Sequence, residues 1–183
     1  IVWPFDDLDI IAGQGTVGLE LEAQARGAGV RLDLVLTPVG GGGLAAGDRC
    51  RMAVETPAAE VWGVEPAAFD DTARSLATGE RQSIDPAARS ICDALQSPAP
   101  GRLTLPLNSA NLAGVLTVTD AEVAEAMRFA FTWLKLVVEP GGIVALAALL
   151  AGKVTLDGRA AGVVLSGGNV DPGLFAQVLA REI

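Results

Sequence analysis

The chain has 183 residues, 50% of them apolar, and 13 Lys and Arg against 22 Asp and Glu give a formal net charge of -9. That length supports one sizeable hydrophobic core, and the acidic balance lacks the basic footprint that nucleic acid or an anionic membrane requires, so a small molecule is the expected ligand. Cys50 and Cys92 fit no zinc spacing, and the most apolar stretch, Ile143 to Ala151, is far short of the roughly 20 residues that cross a bilayer. The start at Ile1 has no basic head before an apolar run and no Met, as expected of a fragment of a cytoplasmic protein.

Short β-rich runs alternate with longer helical ones, the pattern of βα units around a mainly parallel sheet, so the expected fold class is α/β. A helix is predicted over Thr16 to Arg26 and a strand over Leu34 to Val39. Four consecutive glycines, Gly40 to Gly43, then lead into a helix predicted over Leu44 to Glu55. A second strand, Val61 to Glu65, precedes a helix over Asp70 to Thr78. Residues Gly79 to Asn111 hold several prolines and little apolar periodicity, and read as a long irregular connection. A third strand, Gly114 to Val118, precedes a helix over Asp120 to Val137 whose start carries a capping box, Thr119 with Glu122 three residues on. A helix over Ile143 to Ala151, a strand over Ala161 to Leu165 and a helix over Pro172 to Arg181 complete the series.

The glycine run carries a heavy backbone-entropy cost. Glycines let successive backbone N–H groups converge, and the following helix N-terminus adds partial positive charge, so such a loop cradles a phosphate without any Lys. The alternative is a tight strand-to-helix turn with no ligand. Gly41-x-Gly43-x-x-Ala46, with Glu65 at the end of the next strand, also satisfies the dinucleotide fingerprint, whereas a Walker-type loop is excluded because no Gly-Lys-Ser/Thr follows.

Further segments, in chain order, are Gly13-Gln14-Gly15-Thr16, Gly63-Val64-Glu65-Pro66 with Asp70-Asp71, Ser90-Ile91-Cys92-Asp93, Leu136-Val137-Val138-Glu139-Pro140-Gly141-Gly142 and Leu165-Ser166-Gly167-Gly168-Asn169. Together with the glycine loop they resemble the C-terminal half of the serine/threonine dehydratase and serine racemase family, which depends on pyridoxal 5′-phosphate (PLP). The resemblance covers essentially the whole chain. It implies a tryptophan synthase β-like fold, with residues 1–183 forming part of the large cofactor-binding domain, and the N-terminal part and small domain absent.

It also implies site residues. Val39, Gly40, Gly41, Gly42, Gly43 and Leu44 would form the phosphate cup, and Ser166 with Gly167 would meet the pyridine nitrogen. A neutral hydroxyl there leaves the nitrogen largely unprotonated and the cofactor a restrained electron sink, suited to elimination at the β-carbon; the plain alternative for Ser166 is local backbone bonding. Glu139 would lie near the cofactor ring, and as a carboxylate before Pro-Gly-Gly it equally reads as a helix cap. Glu65, the carbonyl of Phe69 and Asp71 match a Mg²⁺ or Ca²⁺ site of serine racemase-like members, against the plain reading of the two carboxylates as capping residues; Ala94 replaces a Gly of those relatives at a further carbonyl ligand. The family's catalytic lysine lies upstream of the resembled region, and Lys135 and Lys153 read as solvated surface residues. The implied activity of the intact protein is conversion of L-threonine to 2-oxobutanoate and ammonia by a homodimer, this chain being inactive alone. A racemase, a Rossmann-type dinucleotide-binding domain and a non-catalytic remnant stay open as alternatives.

Overall fold

A computed structural model describes residues 4–55 and 58–183; the first three residues, on which the reading of the chain start rests, and residues 56–57 lie outside the described residues. Four strands, β1 (Leu34–Pro38), β2 (Glu60–Pro66), β3 (Gly114–Val118) and β4 (Ala161–Val163), pair in the order β3-β2-β1-β4, every neighbour parallel. Parallel strands covered on both faces are apolar throughout rather than alternating, and Leu34, Val35 and Leu36 are all fully buried. Leu34, Leu36, Val64 and Val118 enter one core, while Val35, Val61, Met52 and Val164 enter the other. Along β1 this sorting follows from successive side chains pointing to opposite faces of a strand.

The flanking helices are α1 (Leu8–Gly27), α2 (Gly43–Glu55), α3 (Asp71–Thr78), α4 (Thr104–Asn111), α5 (Asp120–Phe129), α6 (Pro140–Leu150) and α7 (Pro172–Ala180), with a 3₁₀ turn at Asp93–Leu95. The α/β expectation holds, and the differences are at element ends. The first helix starts at Leu8 rather than Thr16, because Asp7 caps it by accepting from Asp9 N and Ile10 N at 2.9 and 3.3 Å. Its glycines, which lower helix propensity in isolation, are contact residues here: a Cβ on Gly18 would lie 2.9 Å from the Asp48 carbonyl oxygen, and on the facing helix α2 a Cβ on Gly47 would lie 2.5 Å from the Ile11 carbonyl oxygen. The two helices pack closely because Gly15 and Gly18 of α1 and Gly47 of α2 let backbone approach backbone at the crossing.

The stretch expected to be irregular contains α4. Pro106 is its third residue, inside the first turn, where a missing N–H forfeits no intrahelical bond. The capping box of Thr119 and Glu122 is present, but the helix it starts stops regular winding at Phe129, passes through a π turn over Ala130–Leu134 and ends at Lys135, with φ 61. Helix α6 begins at Pro140 instead of Ile143, with Pro in the first turn where its fixed φ is favourable. It is apolar all round and runs through the core. Among the described residues no helix is long and apolar enough to cross a membrane.

Strands β1, β2 and β3 add in one direction, and β4 returns to the other side of β1. The order therefore reverses between β1 and β4. In open parallel sheets the crevice beyond the carboxyl ends of the strands at such a reversal is where ligands bind. Beyond β1 lies the glycine loop, and beyond β4 lies Ser166.

Candidate functional site

The two loops meet in a cleft of about 200 Å³, lined by Gly40 to Gly43, Leu44 and Ser166 and closed at its sides by Phe5 and Leu95. The loop is anchored at its strand end by the Val39 N–H, which donates to the Val64 carbonyl at 2.8 Å. Gly42 has φ +92, a conformation open to glycine and strained for other residues. A Cβ on Gly41 would run into the Phe5 ring, and one on Gly40 would sit 3.2 Å from Leu95 Cα.

Among the described residues the N–H groups of Gly40, Gly41, Gly42, Gly43 and Leu44 donate to no protein acceptor. The carbonyls of Gly41 and Gly42 are turned the other way. Thr104 Oγ1 and Gly101 N donate to Gly41 O at 2.6 and 3.2 Å, and Asn108 Nδ2 and Ala46 N donate to Gly42 O at 3.1 and 3.0 Å. Unpaired amides at a helix N-terminus form an anion site whose charge comes from backbone dipoles alone.

Ser166 is exposed on the cleft, and its hydroxyl has no partner among the described residues, while its N–H donates to the Gly142 carbonyl at 3.1 Å. The segment after it is held from below by Glu139. The Glu139 N–H donates to Gly167 O at 3.0 Å, and its carboxylate accepts from Asn169 N at 2.9 Å. Glu139 is the N-cap residue of α6, as its position before Pro-Gly-Gly suggests, and its carbonyl accepts from Gly142 N at 3.1 Å, but its carboxylate makes no bond to that helix and supports the neighbouring loop instead. The Glu139 carboxylate fills the space a Cβ on Gly167 would take. Val39, Glu139 and Gly167 thus stand behind the cleft rather than lining it.

Glu65, Phe69 and Asp71 cluster at the end of β2, on a different loop. Glu65 is fully buried, and its two oxygens accept from Thr72 N and Ala73 N at 3.1 and 2.9 Å. Burial, with Asp71 nearby, pushes its pKa up to about 8, and burial raises that of Asp71 to about 6. Asp71 Oδ2 is buried without a partner. Phe69 is buried beside them, its N–H bonded to the Pro66 carbonyl at 2.8 Å. Among the described residues no group of three His, Cys, Asp or Glu side chains gathers at a metal-binding distance. The burial of Glu65 also removes it as the ribose-binding acid of a dinucleotide site.

Neither lysine reaches the cleft: Lys135 Nζ donates to the Thr132 carbonyl at 2.7 Å, and Lys153 Nζ pairs with Glu122 at 2.9 Å. A larger groove of about 650 Å³, lined by Leu8, Ile11, Leu19, Cys50 and Leu107, lies along α1 and α2 and contains no carboxylate. It lacks converging backbone donors, so the smaller cleft is the candidate site. Sequence reading missed Phe5, Thr104 and Asn108; the last two lie in the stretch whose prolines concealed a helix.

Residues 1–167 match the family described as pyridoxal-phosphate dependent enzyme. The chain belongs to that family. Serine racemase of Dictyostelium discoideum is 39% identical over 182 residues, which cover 98% of this chain and 55% of the relative. An L-threo-3-hydroxyaspartate ammonia-lyase of a Pseudomonas species is 39% identical over 175 residues, 96% of this chain and 53% of the relative. The solved structure of a T.th. threonine deaminase superposes with a TM-score of 0.88 at 44% identity, over 92% of this chain and 61% of that one. The match is to the C-terminal half, and the chain spans about half the length of the curated relatives it matches. The cleft fits the family's cofactor: unpaired amides stand where a phosphate needs donors, and a free hydroxyl lines the same space.

Proposed function

We propose that this chain is the cofactor-holding part of the large domain of a PLP-dependent lyase, acting on small β-hydroxy amino acids, with L-threonine giving 2-oxobutanoate and ammonia. The observation that carries this reading is the free amides of Gly40 to Gly43 sharing one cleft with the free hydroxyl of Ser166. The amides bind the phosphate dianion. Ser166 orients the ring by its nitrogen and, being neutral, does not protonate it. Glu139 holds the Ser166 loop in register, and Phe5 and Leu95 exclude water from the cleft walls. Bound there, PLP supplies an electron sink for cleavage of the substrate Cα–H bond. The base for that proton is the lysine of the family's upstream segment, so these residues alone are inactive.

Racemisation of serine is a second reading, supported by the similarity to serine racemase. A Mg²⁺ or Ca²⁺ held by Glu65, Asp71 and the Phe69 carbonyl belongs to this proposal, and what supports it is the buried Asp71 oxygen without a partner beside Glu65. A cytoplasmic homodimer completes it. The deciding experiment is borohydride reduction of the protein from its natural source, with the modified peptide mapped and the products from L-threonine and L-serine separated by chirality. A phosphopyridoxyl lysine outside these 183 residues, with 2-oxobutanoate formed, supports the lyase. D-serine as the main product would favour the racemase, and an unmodified protein of this mass would mean a remnant without the chemistry.

A further inference from the structure

We infer that Thr104 and Asn108 are positioning residues for phosphate recognition: from behind the glycine loop they set the angle of its peptide planes and so aim its amides at the ligand. The inference rests on the PLP reading above. In a planar trans peptide the C=O of one residue and the N–H of the next point in opposite directions. Drawing Gly41 O toward Thr104 therefore turns the Gly42 N–H away from α4, and drawing Gly42 O toward Asn108 does the same for the Gly43 N–H. A glycine run has no side chains to hold it, so the bonds to its carbonyls set its peptide planes: backbone N–H groups of Gly101 and Ala46 supply one each, and the side chains of Thr104 and Asn108 supply the second and, at Gly41, the shorter.

Several features of α4 agree with this role. Thr104 and Asn108 lie one turn apart on the same helix face, both fully buried. The helix is pressed so close that a Cβ on Gly42 would meet Asn108 Nδ2 at 2.6 Å and Thr104 Oγ1 at 3.0 Å. Asn108 is buried with its Oδ1 unpartnered, a burden for a residue whose only task is to fill space, since an apolar side chain would avoid it. The start of α4 is itself fixed, because the Asp6 carboxylate accepts from Leu103 N and Arg102 N at 2.7 and 2.9 Å. Asp6 adjoins Phe5, so the segment that walls the cleft also anchors the helix that shapes the cup.

A positioning role for the phosphate differs from a general stabilising role in what it discriminates. Equilibrium binding of PLP and of pyridoxal, which lacks the phosphate, is measured on the natural-length protein and on Thr104→Val, Thr104→Ser and Asn108→Leu. Amide NMR shifts of Gly42 and Gly43 on adding inorganic phosphate are recorded alongside. The expected result is about tenfold weaker PLP binding for Thr104→Val and Asn108→Leu, pyridoxal binding changed by less than about twofold, and recovery in Thr104→Ser, with phosphate-induced shifts lost in the first two. Unchanged PLP affinity in both variants, or equal weakening of PLP and pyridoxal, would overturn the inference while leaving the PLP reading intact. Failure of the unsubstituted protein to prefer PLP over pyridoxal overturns both. Melting curves accompany every variant, and Asn108→Leu delivers the same two outcomes where Thr104→Val does not fold.

Discussion

The two loops that face each other across the sheet's reversal are built in opposite ways. After β1 the protein grips carbonyls and leaves amides free. After β4 it grips the amides of Ser166 and Asn169, with one carbonyl, that of Gly167, and leaves a hydroxyl free. The first arrangement presents a cluster of donors and suits an anion; the second presents one neutral group that both donates and accepts and suits a ring nitrogen. What each loop can recognise is thus decided by the groups the scaffold has already consumed.

The largest expected effect lies under the first loop, in a feature the second lacks. Helix α2 buries Asp48, whose Oδ2 accepts from Thr37 Oγ1 at 2.9 Å while Oδ1 has no partner. Burial raises its pKa from 3.8 to about 7. Its folded pKa lies above the unfolded one, so its contribution is intact below the unfolded pKa, near pH 4, and is lost as pH rises towards 7, by up to about 4 kcal/mol. Asp48→Asn should be the more stable protein at pH 8, with a flatter pH dependence between 4 and 7. Chemical denaturation across that range checks it, and equal slopes in the two proteins would show that Asp48 is not the group responsible.

Next in size is Gly42→Ala. With φ +92 and Asn108 in the path of the new methyl, the first loop should lose its cup, and PLP affinity should fall about a hundredfold, roughly 2.7 kcal/mol, with pyridoxal far less affected. Glu139→Ala tests the other loop. Freed from the Asn169 N–H, it should bind PLP and pyridoxal about tenfold less well each, leaving their ratio unchanged. A changed ratio would show that Glu139 acts on the phosphate side and would dissolve the contrast between the loops. Ser166→Ala should be mildest, a few-fold loss for both ligands and none for inorganic phosphate.

Much of this was legible from the residues. The four-glycine run after an apolar strand, the capping box at Thr119 and the Ser166-Gly167-Gly168 turn are local patterns, and each stands near where it was expected. Where the reading failed, tertiary contacts outweighed local preference. Gly13, Gly15 and Gly18 weaken a helix by intrinsic preference, yet α1 runs through them because Gly15 and Gly18 let α2 approach. Pro106 reads as a helix breaker, yet α4 contains it harmlessly in its first turn. Glu139 reads as a cap by position, yet its carboxylate turns to a loop 30 residues away.

Local backbone patterns, then, were readable in one dimension: a glycine run between a strand and a helix, a capping box at Thr119, and the strand–helix alternation of a parallel sheet. The pairing of groups distant in the chain was not. Thr104 reaches Gly41 across 63 positions and Ala160 N reaches Asp33 across 127. Propensity and periodicity act over a few residues, whereas which carbonyl a buried hydroxyl meets depends on how glycine-faced helices pack and on the strand order that carries β4 back beside β1.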